Sequence, residues 1–286
     1  MFSDAFLTSG YLPAAIFLLG LVVGSFLNVV IFRLPQMLEQ GWRDECCEFL
    51  GQEPQEADPL SLAFPNSRCR SCQTPIKPWH NIPVVSFLLL AGKCAACRAP
   101  ISIRYPLIEL STALLFLAAA LSFGATASLP AALALIGALI ALTGIDHDTH
   151  LLPDTITLPL VWLGLLLNLG GTFTTLQDAV LGAVVGYLVL WSVFWLFKLT
   201  TGKEGMGYGD FKLLAALGAW FGWQALPLIV ILSSFVGAFV GILMIVLRKQ
   251  ERQQPMPFGP YLAGAGLTTL FFGDALVARY FQIIGM

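Results

Sequence analysis

The chain has 286 residues, 57% of them hydrophobic and 11% charged, with a mean hydropathy of +0.79 and a formal net charge of −2. Soluble domains carry about 25% charged residues, so a water-soluble fold around one large core is excluded. With no basic stripe and a charge near zero, the sequence gives no sign of a nucleic-acid partner.

A helix needs about 20 predominantly apolar residues to cross a bilayer, and runs of that kind recur along most of the chain. They are predicted as spans near 12–32, 105–123, 129–145, 156–171, 179–197, 225–247 and 258–283. A shorter run at 211–223 is counted too, because Lys212 reaches toward one interface while Trp220 and Trp223 mark the other. The fold class expected is therefore an all-α polytopic membrane protein with about eight transmembrane helices. No Lys or Arg precedes the first run, which is too long for a signal peptide and lacks a small-residue cleavage site after it, so it reads as a retained span. With the N-terminus outside, every basic residue except Arg279 falls in an inward loop; the positive-inside rule then sets both termini outside.

Three regions follow: a first span (1–33), a polar cytoplasmic segment (34–104) and seven spans (105–286). The polar segment holds all six cysteines and seven of the 17 acidic residues. Within it "NIPVVSFLLLAG" (81–92) is apolar but too short to span, and reads as core or as an interfacial segment. No internal repeat is read anywhere in the chain.

"CRSC" (69–72) and "CAAC" (94–97) are C-x-x-C pairs with 21 residues between them. Two thiolates from each pair suit one tetrahedral ion, so Cys69, Cys72, Cys94 and Cys97 are expected to hold a structural zinc, on a spacing slightly beyond the usual ribbon. A reducing cytoplasm argues against disulfides there, although redox pairs or buried thiols remain alternatives. A closed four-sulfur site leaves no position for a reactive water. Cys46 and Cys47 have no partner pair and read as small apolar residues.

Carboxylates inside spans are costly and usually functional. Asp178 and Asp274 lie near outward loops and are expected to be solvated. Asp154, after Pro153, reads as the N-cap of the next span, and Glu109 as a partner for Arg104 or a further contributor to a site. Asp146 closes the run "LALIGALIALTGID" and Asp210 opens "FKLLAALGAW", both on the cytoplasmic side. Two carboxyls brought together there would share one proton, the requirement for aspartyl proteolysis. Asp148 is an alternative to Asp146, but it lies farther from the apolar run. Three glycines lead into Asp210 in "GMGYGDFK" (205–212). They offer close backbone approach and unusual turns where irregular backbone can line a wet cavity; the competing reading is a flexible loop with Asp210 as a helix N-cap.

These residues resemble the bacterial type IV prepilin peptidases, which join leader peptidase and N-methyltransferase activities. "GSFLNVVIFRLP" (24–35), "FPNSRCRSC" (64–72), "ISIRYPLIELSTALLF" (101–116), "IDHDTHLLPD" (145–154), "GMGYGDFK" and "PFGPYLA" (257–263) carry the resemblance in order along nearly the whole chain. It implies catalytic aspartates at Asp146 and Asp210, zinc on the four knuckle cysteines, S-adenosylmethionine as methyl donor and an inner-membrane location with a cytoplasm-facing site. The substrates it implies are prepilins of type IV pili, with pseudopilins of type II secretion as a further class. They are cut after a glycine, and the new N-terminal residue is methylated. No G-x-G-x-x-G follows a strand, so the cofactor pocket is not placed by the residues; the 34–104 segment is the natural candidate. A transporter using intramembrane acids is the competing class, but the acids gather at one face and the two halves show no repeat. A membrane-anchored zinc adaptor would leave the glycine-aspartate motif without a role.

Overall fold

The computed structural model describes residues 11–53, 60–203, 205–247 and 256–284. Among them every regular element is helical, with only isolated bridges at Arg68–Pro75 and Lys93–Pro100. The helices are α1 (Tyr11–Phe49), α2 (Val85–Leu89), α3 (Arg104–Phe123), α4 (Ser128–Thr149), α5 (Asp154–Asn168), α6 (Leu176–Thr201), α7 (Tyr208–Phe221), α8 (Leu226–Val246) and α9 (Gly259–Ile284). All of the expected spans are helices. By length and composition α1, α3, α4, α6 and α8 are long and apolar enough to cross a membrane, and α5 is a shorter apolar helix. The readings of Asp274, Arg248, Lys249 and Arg252 lie outside the residues whose side chains are described.

The chain forms two compact units, Met1–Ala125 and Thr126–Met286. In the first, α1 packs along α3. A Cβ at Gly24 would stand 2.6 Å from Glu109 Cα, so only glycine lets the helices approach this closely. Asn28 Nδ2 then donates to the carbonyls of Gly24 and Tyr105, each at 3.2 Å. Helix α1 does not stop where its apolar run ends. It continues through Pro35 for 39 residues in all, roughly 58 Å at 1.5 Å per residue and well beyond a hydrocarbon core of about 30 Å. Cys46 and Cys47 sit on that polar extension, exposed and half-buried, rather than in a core. Arg33 ties the helix to the polar segment, donating to the carbonyls of Ser61 (2.9 Å) and Pro65 (2.6 Å). Arg70 lays its guanidinium 4.0 Å from the Phe32 ring centroid.

The second unit is built around α7. From Asp210 to Trp220 every residue of this helix except Lys212 is buried, with α5, α6 and α9 packed around it. Its apolar character is thus spent on protein contact, and its 14 residues need not match the bilayer. The tightest approach pairs Gly182 of α6 with Gly218 of α7, where a Cβ on either would collide with the carbonyl of the other. Trp220 is fully buried, not an interfacial marker as expected; its indole N–H donates to Leu160 O at 2.8 Å. Asn168 secures the same end: Nδ2 donates to Ala219 O and Trp220 O, and Oδ1 accepts from the N–H groups of Phe173 and Thr174.

Two further expectations are corrected by ion pairing. Asp154 does not cap α5; Pro153 occupies the N-cap and Asp154 is the first helical residue. Its carboxylate holds Lys212 Nζ at 2.6 and 2.8 Å, so Lys212 is paired instead of reaching into an interface alone. Asp178 is half-buried instead of fully solvated; it completes a cap with Thr175 and accepts from Trp223 Nε1 at 3.0 Å.

Candidate functional site

The C-terminal turn of α4 and the N-terminal turns of α7 and α9 meet at one end of the second unit. Asp146 comes from the first of these and Asp210 from the second, and each is only 5% exposed. Asp146 Oδ2 accepts the Gly259 N–H at 2.9 Å, a bond between the end of α4 and the start of α9. Asp210 is the third residue of α7, and its Oδ2 accepts the Gly207 N–H at 3.2 Å, reaching back over the helix start. The N-cap itself is Gly207, so the reading of Asp210 as a cap does not hold. Among the buried polar side-chain atoms described, Asp210 Oδ1 is the one without a hydrogen-bond partner.

The glycines act by close approach, not by unusual turns, since none of Gly205, Gly207 and Gly209 has a positive φ. A Cβ at Gly209 would come within 2.6 Å of Leu152 Cβ, and a Cβ at Gly259 within 2.6 Å of Asp146 Oδ2 and 3.1 Å of Leu152 Cδ2. Leu152 is therefore a buried spacer touching both backbones that present the carboxylates. Leu152 and Gly259 lie within "IDHDTHLLPD" and "PFGPYLA", but the sequence alone assigns neither a role. The available signal was a glycine at the mouth of an apolar run, directly before a helix-starting proline.

The other candidates separate from this pair. Asp148, two residues beyond Asp146, is exposed. Glu109 belongs to the first unit, is buried, and accepts the Val84 N–H at 2.7 Å, which ties the polar segment to α3.

The four knuckle cysteines do converge. Their sulfurs all lie within 4.8 Å of one another, with Cys69 Sγ and Cys97 Sγ 3.8 Å apart. A tetrahedral zinc with Zn–S near 2.3 Å places its sulfurs about 3.8 Å apart, so the donor set fits that ion. The Cys72 thiol is held down to about 6 by hydrogen bonding to the Thr74 side chain and backbone. The Cys97 thiol rises to about 11: the Ala99 backbone favours its thiolate, but Cys72, Cys94 and Cys69 crowd it. A bound cation would relieve that crowding.

The knuckles also overturn the expectation of no internal repeat. "RCRSCQTP" (68–75) and "KCAACRAP" (93–100) fold alike. Cys69 N bonds Thr74 O as Cys94 N bonds Ala99 O, Gln73 N bonds Cys69 O as Arg98 N bonds Cys94 O, and Gln73 and Arg98 both have positive φ, at 57° and 61°. The signal was visible at a fixed offset of 25 residues.

Fold and site together define a polytopic helical membrane protein with paired buried aspartates and a separate four-thiol centre. Two family models match in tandem: the bacterial peptidase A24 N-terminal domain over residues 18–123 and the type IV leader peptidase family over residues 133–242. The chain is 57% identical over 269 residues to a prepilin leader peptidase/N-methyltransferase of Pseudomonas aeruginosa, covering 94% of this chain and 93% of that relative. It is 56% identical over 267 residues to the protein of that name from Aeromonas hydrophila, covering 93% and 92%, and 54% over 268 residues to that from Stutzerimonas stutzeri, covering 92% of each. No solved structure matches this chain. The chain belongs to the type IV leader peptidase family.

Proposed function

We propose that this chain is a membrane aspartyl endopeptidase that removes the leader peptide of type IV prepilins and N-methylates the new N-terminal residue, with type II secretion pseudopilins as further substrates. The observation that carries the proteolytic half is the buried pair, Asp146 fixed by Gly259 and Asp210 fixed by Gly207, with Asp210 Oδ1 left for water or substrate. One proton serves two carboxyls. The ionised carboxyl takes a proton from a water as its oxygen attacks the scissile carbonyl. The protonated carboxyl donates to the carbonyl oxygen, and the tetrahedral intermediate then collapses as the leaving amine is protonated. No metal or side-chain nucleophile is needed. The site is assigned to the cytoplasmic face of a bacterial inner membrane with both termini outside, an orientation that the distribution of basic residues supports.

The thiol centre is assigned to one structural zinc on Cys69, Cys72, Cys94 and Cys97, which would fold the polar segment and take no part in hydrolysis. S-adenosylmethionine would supply the methyl group. The described residues form no strand and no glycine-rich strand-to-helix turn, so they do not fit it in a Rossmann-type cradle, and its binding is assigned only to the 34–104 segment. A prepilin cleavage assay in detergent on the wild type and Asp210→Asn tests the reading. Loss of cleavage with retained methyl transfer to a pre-cut pilin is expected; unchanged cleavage would overturn it.

A further inference from the structure

The segment Ile82–Leu90 combines a strained bend, a set of exposed apolar side chains and a firm attachment to a membrane-spanning helix. We propose that it is a re-entrant anchor, seated in the lipid leaflet beside the start of α3. This rests on the membrane-spanning character of α3 and is independent of the catalytic reading.

The segment is folded back on itself. Val84 has φ 59° and ψ −47°, and the Val85 N–H donates to Pro83 O at 2.5 Å, closing a γ-turn. A γ-turn of this hand is rare and strained, above all at a β-branched residue. Positive φ recurs at Ala91 (50°) and Gly92 (67°), so α2 lies between two reversals. The strain at Val84 is held by Glu109, whose Oε2 accepts the Val84 N–H. Glu109 is five residues beyond Arg104, roughly 7.5 Å along α3, and its side chain leans back toward the helix start. The first bend is thereby fastened at the first turns of a span. The second is fastened just ahead of that helix, where the Ile101 N–H donates to Gly92 O at 2.7 Å.

What the segment presents outward is apolar. Leu89 is 81% exposed and Leu88 69%, with Val85 and Ile82 each at 47%. At the start of α3, to which the segment is fastened, the N-cap residue Ile103 and Leu107 are exposed as well. Ser86 is the sole polar side chain between Ile82 and Leu90, and its hydroxyl donates to Ile82 O at 2.6 Å. The backbone is largely self-satisfied: the N–H groups of Val85, Ser86, Leu88, Leu90, Ala91 and Gly92 bond within the segment, and that of Val84 bonds Glu109. Lipid imposes that condition on non-helical backbone, and water does not. Exposed Lys77 and Lys93 flank the segment, and Lys77 Nζ lies 5.4 Å from the exposed Trp79 ring. Cations and an amphipathic aromatic beside an apolar tip suit the headgroup layer. Attachment to the first turns of a membrane-spanning helix, together with this flanking charge, selects lipid over a protein partner.

The test uses the full-length protein in nanodiscs of phosphatidylcholine and phosphatidylglycerol. A fluorescent amino acid replaces Leu89 or, as a reference, Glu48, which is exposed near the end of α1. Quenching by acyl-chain-brominated lipid is compared with quenching by aqueous iodide. The probe at 89 should be quenched several-fold more by brominated lipid than the probe at 48, with the order reversed for iodide. Equal iodide quenching at both positions would overturn the proposal by placing the segment in water. Protection at 89 from both quenchers would overturn it by showing that protein covers the segment. Repeating the measurement at Leu88 guards against a label that disturbs one position.

Discussion

The Gly259 N–H reaches Asp146 Oδ2 at 2.9 Å across 113 residues of sequence, and no side chain fits between them. A Cβ at position 259 would sit 2.6 Å from the same oxygen. Gly259→Ala should therefore displace the carboxylate while leaving the helices in place. A shift of about 1 Å at a reacting group can lower a rate about 100-fold, and a fall of that order in prepilin cleavage is expected, with unchanged circular dichroism. Full activity in this variant would show that the bond does not position Asp146.

The two aspartates should fail together. Asp146→Asn and Asp210→Asn cannot share a proton and should each abolish cleavage; the glutamate variants, longer by one methylene, should also fail badly. Because the residues act as a unit, the double substitution should cost little more than either single one. Exposed Asp148 supplies the internal comparison. Collapse in Asp148→Ala with near-normal turnover in Asp146→Ala would move the pair.

For the thiol centre, metal analysis of purified protein should find one zinc per chain. Cys72→Ser should lower that content and increase protease sensitivity across 60–100, since metal binding here is folding free energy. Full activity without zinc would remove the structural role.

Glu109 offers a test that separates charge from hydrogen bonding. Glu109→Gln keeps an acceptor for the Val84 N–H and should leave stability nearly unchanged. Glu109→Ala strands a part-buried donor, a change that costs about 1–3 kcal/mol, and should lower the thermal midpoint in detergent. Equal stability of the two variants would show that the latch contributes nothing.

The apolar runs were legible because bilayer-crossing helices must be long and greasy, and the cysteine pairs because knuckle spacing is short-range. The paired aspartates were legible as charges at the ends of such runs. What escaped notice depends on contacts remote in sequence: Gly259 with Asp146, Val84 with Glu109, Lys212 with Asp154. Helix α1 ran past its apolar stretch because "QMLEQGWRDECCEF" is rich in residues that favour helix in water, and Pro35 did not end it. Trp220 was misread because an aromatic near the end of a run suits an interface and a buried helix end equally well.

The burial of α7 bears on how the protein is assembled in the cell. Fourteen residues rise about 21 Å, short of a bilayer core of about 30 Å, and a carboxylate and an ammonium lie in the first turns. Such a helix has little tendency to leave the translocation machinery for lipid by itself. Its partner in the closest backbone contact, α6, is 26 residues long and strongly apolar, and it is synthesised immediately before α7. The two are suited to enter the bilayer as a hairpin, so that the segment bearing Asp210 is carried into the membrane by its predecessor.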